Sequence, residues 1–90
     1  MFKILEQLIE TIRDRKNSSL DKSYTNKLLN DKNLSVSKVK EEIKELIEAV
    51  EKNSNKTHEA ADVIYHLMVY LESNNIKIED VMQELKKRQK

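Results

Sequence analysis

Two pairs of acidic residues, each spaced by three, carry the strongest chemical signal in this chain: Glu42 with Glu45, then, after a thirteen-residue spacer, Glu59 with Asp62. At about 100° per residue, the members of each pair fall about 60° apart on one stripe of an α-helix, so each helix presents two carboxylates in one direction. His66, four residues beyond Asp62, falls between Glu59 and Asp62 in angle. If the two helices pack antiparallel, as their short connection implies, the pairs converge at one level of a bundle. Four converging carboxylates raise one another's pKa or push the helices apart unless a hard, oxygen-preferring cation neutralises them, and Mg²⁺ is the intracellular candidate. The spacing alone does not establish this, because Glu is a favoured helix residue and a solvated face shows the same pattern. Glu59 and Asp62 stand out because they interrupt an otherwise apolar helix. His66 reads as a hydrogen-bonded core residue ahead of a ligand.

The elements that must position these groups are helices. Phe2, Leu5, Leu8, Ile9 and Ile12 recur at spacings of three and four, which predicts an amphipathic first helix ending at Lys16-Asn17-Ser18-Ser19. Ser23 is the expected N-cap of a short helix from Tyr24 to Asn30 carrying Leu28 and Leu29. After Asp31-Lys32-Asn33, Ser35 is read as the cap of a longer helix in which Val36, Val39, Ile43, Leu46, Ile47 and Val50 mark a face as far as about Glu51. Lys52 to Lys56 breaks the pattern, and Asn55 or Thr57 opens a fourth helix to about Ser73. Its apolar residues wrap nearly the whole circumference, so it must be central or meet a second subunit. Asn74-Asn75 stops it, and Ile76, Ile78, Val81, Met82 and Leu85 lead into a fifth helix with Glu79 and Asp80 in its first turn.

Composition agrees with an all-α fold of about five helices in a single domain, residues 1–90. The chain has no glycine, so tight hairpins and phosphate-cradling glycine loops are not expected, and no cysteine, which excludes disulfides, thiolate zinc sites and cysteine nucleophiles. Seventeen Lys and Arg against sixteen Asp and Glu alternate in sign without blocks. No nucleic-acid footprint is visible. The cluster Lys86-Lys87-Arg88 with Lys90 reads as cations meeting a helix C-terminus. No apolar run approaches a membrane span, so no membrane partner and a cytoplasmic location are expected.

Glu42-Ile43-Lys44-Glu45, the spacer, and Glu59-Ala60-Ala61-Asp62 resemble the E-x-x-E, E-x-x-D metal signature of the all-α nucleoside-triphosphate pyrophosphatases related to MazG. The surrounding segments are Ser23-Tyr24-Thr25 with Leu28-Leu29, Lys38-Val39 before Glu41-Glu42, Tyr65-His66-Leu67, and Ile78-Glu79-Asp80-Val81 with Glu84-Leu85. Within that superfamily they resemble the phosphoribosyl-ATP pyrophosphohydrolases of the second step of histidine biosynthesis. Two positions depart from the family pattern: Lys40 stands where glycine is usual, and His58 where an acidic residue usually precedes Glu59. Lys40 projects about 160° from Glu42, away from the metal site. Nothing in the chain resembles the cyclohydrolase to which the family is often fused, which implies a separate cyclohydrolase.

The resemblance implies Mg²⁺-dependent hydrolysis of phosphoribosyl-ATP to phosphoribosyl-AMP and pyrophosphate, with Glu42, Glu45, Glu59 and Asp62 as metal ligands. Glu41 is the candidate for a base that orients water. Lys27 and Lys38 are candidate phosphate contacts, and Ser23 a candidate substrate contact beyond its cap. The resemblance and the apolar fourth helix both point to a homodimer, whose central four-helix bundle takes helices three and four from each subunit, with Val63 and Tyr70 in the interface. Two alternatives fit the same residues: a MazG-like enzyme clearing noncanonical triphosphates, and a non-enzymatic helical dimerisation module whose carboxylates are solvated.

Overall fold

A computed structural model describes residues 1–17 and 23–89. The described residues form five helices and no strand: α1 (Lys3–Lys16), α2 (Tyr24–Asn30), α3 (Lys32–Lys52), α4 (Lys56–Ser73) and α5 (Ile78–Arg88). The fold is all-α. Ser18, Ser19 and Lys90, which entered the reading of the first break and the basic cluster, lie outside the described residues.

The helix ends follow from local hydrogen bonding, with one correction. Ser23 caps α2 as expected, its Oγ accepting from the Asn26 N–H at 3.1 Å. The cap of α3 is Asp31 and not Ser35: the Asp31 carboxylate accepts from the Leu34 N–H at 3.0 Å, so the helix starts at Lys32. A charged acceptor next to the end of α2 makes the stronger cap, and Ser35 is left inside the helix at 2% exposure. Without glycine, asparagine supplies the left-handed residues: Asn53, Asn55 and Asn75 have φ of 53°, 56° and 59°. Asn53 ends α3 in a Schellman closure, with Ser54 N–H donating to Ala49 O at 3.0 Å and Asn53 N–H to Val50 O at 3.2 Å. Asn75 ends α4 the same way, Ile76 N–H donating to Leu71 O at 2.9 Å and Asn75 N–H to Glu72 O at 3.1 Å. Asn55 stands at the start of α4 but makes no side-chain cap bond. Two left-handed asparagines in a three-residue connection thus return the chain for α4 to run back along α3.

The apolar core is small and lies to one side of α4. Ile12 of α1, Leu28 and Leu29 of α2 and Val69 of α4 are buried, with Leu8, Leu34, Tyr65 and Met68 packed against them. The most extensive helix contact, α3 with α4, has a different composition: the buried residues of α3 are Ser35, Glu42 and Ala49, and those of α4 are His66, Val69 and Ser73. At the far end of α4, Arg13 of α1 donates from both terminal guanidinium nitrogens to Glu79 at 2.9 and 2.7 Å and from Nε to Glu72 at 3.4 Å. Lys16 Nζ donates to the Glu72 carbonyl at 2.8 Å and to Asn75 Oδ1 at 2.9 Å. These bonds tie α1 to the α4–α5 turn, which matters because no residue of α5 is buried. No described helix is long and apolar enough to cross a membrane.

Candidate metal centre

The antiparallel seam brings the two acidic pairs together. One carboxylate oxygen from each of Glu42, Glu45 and Glu59 lies within 4.8 Å of the others, and Glu59 and Asp62 share a second group of the same tightness with a nitrogen of His58. Glu42 is buried at 8% exposure, while Glu45, Glu59 and Asp62 are half-buried. Burial pushes the Glu42 carboxyl above the ordinary carboxylate range, and the adjacent Glu45 pushes it the same way. Burial also raises Glu59, followed by the charges of Glu45 and Asp62. Both shifts express one fact: the charged forms are crowded and under-solvated.

Among the described residues, two buried side-chain oxygens have no hydrogen-bond partner, Glu42 Oε2 and Glu59 Oε2. Leaving a buried acceptor unpaired costs about 1–3 kcal/mol, more when it is charged, so a stable fold does not retain Glu42 Oε2 in this state for packing alone. An all-oxygen donor set with orphaned carboxylate oxygens suits a hard divalent cation, and Mg²⁺ takes such ligands together with water and phosphate oxygens. The residues present fit that ion.

The remaining sequence candidates fall around this group. Glu41 is exposed and outside the close cluster, where Lys38 Nζ donates to its Oε2 at 3.2 Å. Lys38 and Glu41 both act electrostatically on the Tyr24 hydroxyl, which places the start of α2 beside this part of α3. Ser23 is engaged in its cap, and Lys27 is exposed on α2. Lys40 is exposed. His66 is buried and hydrogen-bonded at both ring nitrogens, as a core histidine should be. His58, which the three-residue spacings did not place with the carboxylates, lies beside those of the second group: its Nε2 is 3.4 Å from Asp62 Oδ2. The signal was its spacing of four from Asp62, which places the two side chains on one helix face.

Large apolar side chains are exposed beside the seam: Ile43, Ile47 and Val50 on α3 and Ile64 and Leu67 on α4. Val63 and Tyr70, expected at a subunit interface, are half-buried within the protomer.

Comparison with known proteins gives the site its context. The profile of the phosphoribosyl-ATP pyrophosphohydrolase family matches residues 5–89. A protein of Bacillus mycoides named phosphoribosyl-ATP pyrophosphatase is 46% identical over 90 residues, covering 94% of this chain and 82% of that protein. Its namesake in Clostridium acetobutylicum is 47% identical over 91 residues, covering 94% and 80%. A third, from Dechloromonas aromatica, is 42% identical over 89 residues, covering 96% and 82%. With a match of this extent, the chain belongs to the phosphoribosyl-ATP pyrophosphohydrolase family.

Proposed function

We propose that this protein hydrolyses phosphoribosyl-ATP to phosphoribosyl-AMP and pyrophosphate, the second step of histidine biosynthesis, in the cytoplasm and with Mg²⁺. The observation that carries the reading is the cluster of the Glu42, Glu45 and Glu59 carboxylates, together with the buried, unpartnered Glu42 Oε2 and Glu59 Oε2, in a chain of this family. A bare acidic seam would repel a triphosphate. Glu42, Glu45, Glu59 and Asp62 are the residues that would hold Mg²⁺, which when bound would invert the local sign of charge and supply Lewis acidity for phosphoanhydride hydrolysis.

The chain's own groups then have distinct tasks. Glu41, held by Lys38 at 3.2 Å, accepts a hydrogen bond from the water and orients it toward the α phosphorus, opposite the oxygen that bridges to the β phosphate. Lys38 and Lys27 supply positive charge to the phosphate chain, and Ser23 contacts substrate from the start of α2. Water adds to the phosphorus, the bridging oxygen leaves with pyrophosphate, and the proton lost by water passes to Glu41 or solvent.

The working unit is a homodimer. Ile43, Ile47 and Val50 follow spacings of four and three on α3, and Ile64 and Leu67 continue the apolar strip on α4. Covered by the same strip of a second copy in a two-fold arrangement, the two α3–α4 pairs make a four-helix bundle with one acidic seam per protomer. Pyrophosphate release from phosphoribosyl-ATP, measured with and without Mg²⁺, tests the activity. Mg²⁺-dependent release is expected, and release absent under both conditions would overturn it.

A further inference from the structure

One polar contact between α2 and α4 has no part in the steps above. His66 Nδ1 lies 2.9 Å from the Asp62 carbonyl oxygen, and Nε2 lies 3.2 Å from the Tyr24 hydroxyl. A carbonyl oxygen only accepts, so Nδ1 carries a proton, and in the neutral ring Nε2 accepts from Tyr24. Neighbouring residues repeat the pairing: the hydroxyl of Thr25, which follows Tyr24, is hydrogen-bonded to that of Tyr65, which precedes His66. The rings are packed as well, Tyr65 edge-on to His66 with centroids 4.9 Å apart and Tyr24 edge-on to His66 at 5.9 Å.

This contact sits where α2 needs help. Seven residues are too few to hold a helix in place by themselves. Leu28 and Leu29 bury the later half of α2, but its first turn carries no buried apolar residue and is held by Tyr24 and Thr25. That turn begins with Ser23 and leads to Lys27. Tyr24 is 46% exposed, so its hydroxyl bond is not needed to satisfy a buried phenol. At the other end of the pair, the His66 ring is anchored on the backbone of Asp62, one turn away on the carboxylate-bearing helix.

We propose that Tyr24 and His66 are positioning residues for the substrate: their hydrogen bond fixes the first turn of α2, with Ser23 and Lys27, against the helix that carries Glu59 and Asp62. The proposal rests on the hydrolase reading. Tyr24 and His66 act through the groups they place and leave metal binding to the carboxylates.

The test is a double-mutant cycle with Tyr24→Phe and His66→Asn, plus His66→Gln, whose longer amide reaches the Nε2 position. Three quantities are measured for each: kcat and KM for phosphoribosyl-ATP, affinity for the non-hydrolysable probe α,β-methylene-ATP, and the Mg²⁺-induced shift in thermal midpoint. Loss of one such hydrogen bond should raise KM and weaken probe binding about tenfold in Tyr24→Phe and His66→Asn, with kcat at saturation and the Mg²⁺ shift unchanged. His66→Gln should recover most of the loss, and the Tyr24→Phe, His66→Asn double variant should be no worse than either single one. Wild-type KM and probe affinity in Tyr24→Phe would overturn the proposal, as would effects that add. Should His66→Asn fail to fold, Tyr24→Phe decides alone, because its ring is half exposed and keeps its shape. A wild-type protein that releases no pyrophosphate overturns the hydrolase reading instead, while the probe still reports on the α2 contact.

Discussion

Helix α3 shows two faces whose polarity is reversed from what folding of a lone protomer would favour. Against α4 it buries Ser35, Glu42 and Ala49, including a carboxylate oxygen with no hydrogen-bond partner, while Ile43, Ile47 and Val50 on another face are 44%, 53% and 57% exposed. Burying a large aliphatic side chain is worth about 1.5–3 kcal/mol, and burying an unpaired carboxylate costs free energy, so the same helix rotated about its axis would fold more stably alone. The two faces therefore call for different partners: the proposed function gives the acidic seam a cation and a polyanion, and the aliphatic strip a second copy.

The seam should break first under mutation. Glu45→Gln and Asp62→Asn keep shape and delete charge, so each should lower turnover by roughly two orders of magnitude or more with helical content intact by circular dichroism. Near-normal turnover in both would remove the metal assignment. The strip should break differently. Ile47→Glu changes a side chain already 53% exposed in the protomer, so an isolated subunit should tolerate it within about 0.5 kcal/mol. In an obligate dimer it should instead yield a species of half the mass in light scattering, with a thermal midpoint that falls steeply on dilution and with reduced activity. Tyr70→Asp, at a half-buried position, should destabilise through both the protomer and the interface and is the less discriminating change.

Smaller still is the contrast in pH response between crowded and paired carboxylates. Arg13 holds the Glu79 carboxyl down at about 2, below its unfolded value, so this pair contributes stability above the ordinary carboxylate range and loses it as pH falls toward 2. Glu42 and Glu59 are shifted upward, so without metal their contribution has the opposite sign: stability is greatest at acid pH and declines as pH rises through their raised values. Glu79→Gln should therefore flatten the acid limb of a midpoint-versus-pH curve taken in chelator, and Glu59→Gln should flatten its decline toward neutral pH. A Glu79→Gln curve that superimposes on wild type would show that the Arg13 contact adds nothing.

Much of this was legible in the sequence for identifiable reasons. The α2 boundaries followed from a serine cap and a polar break, and the acidic convergence followed from two three-residue spacings joined by a connection too short for anything but a helical hairpin. Periodicity failed where two residues competed for one role, as Asp31 and Ser35 did for the α3 cap. It is also undecided on α4, which is apolar around most of its circumference. Spacing cannot tell which apolar face meets its own chain: Val63 and Tyr70, read as interface residues, are half-buried within the protomer, and Ile64 and Leu67 are exposed. The Tyr24 and His66 pairing spans 42 residues, and no local pattern encodes a contact of that range.

The central claim is that the α3–α4 seam carries buried charge because it binds a divalent cation. Thermal midpoints of wild type and Glu59→Gln in chelator and in rising Mg²⁺ test it most directly. Wild type should gain stability with Mg²⁺, by about 2.7 kcal/mol at a hundredfold excess over Kd. Glu59→Gln should start level with or above wild type in chelator, because repulsion has been relieved, and should show little further rise. A wild-type midpoint indifferent to millimolar Mg²⁺, or a Glu59→Gln variant less stable than wild type in chelator, would contradict the account.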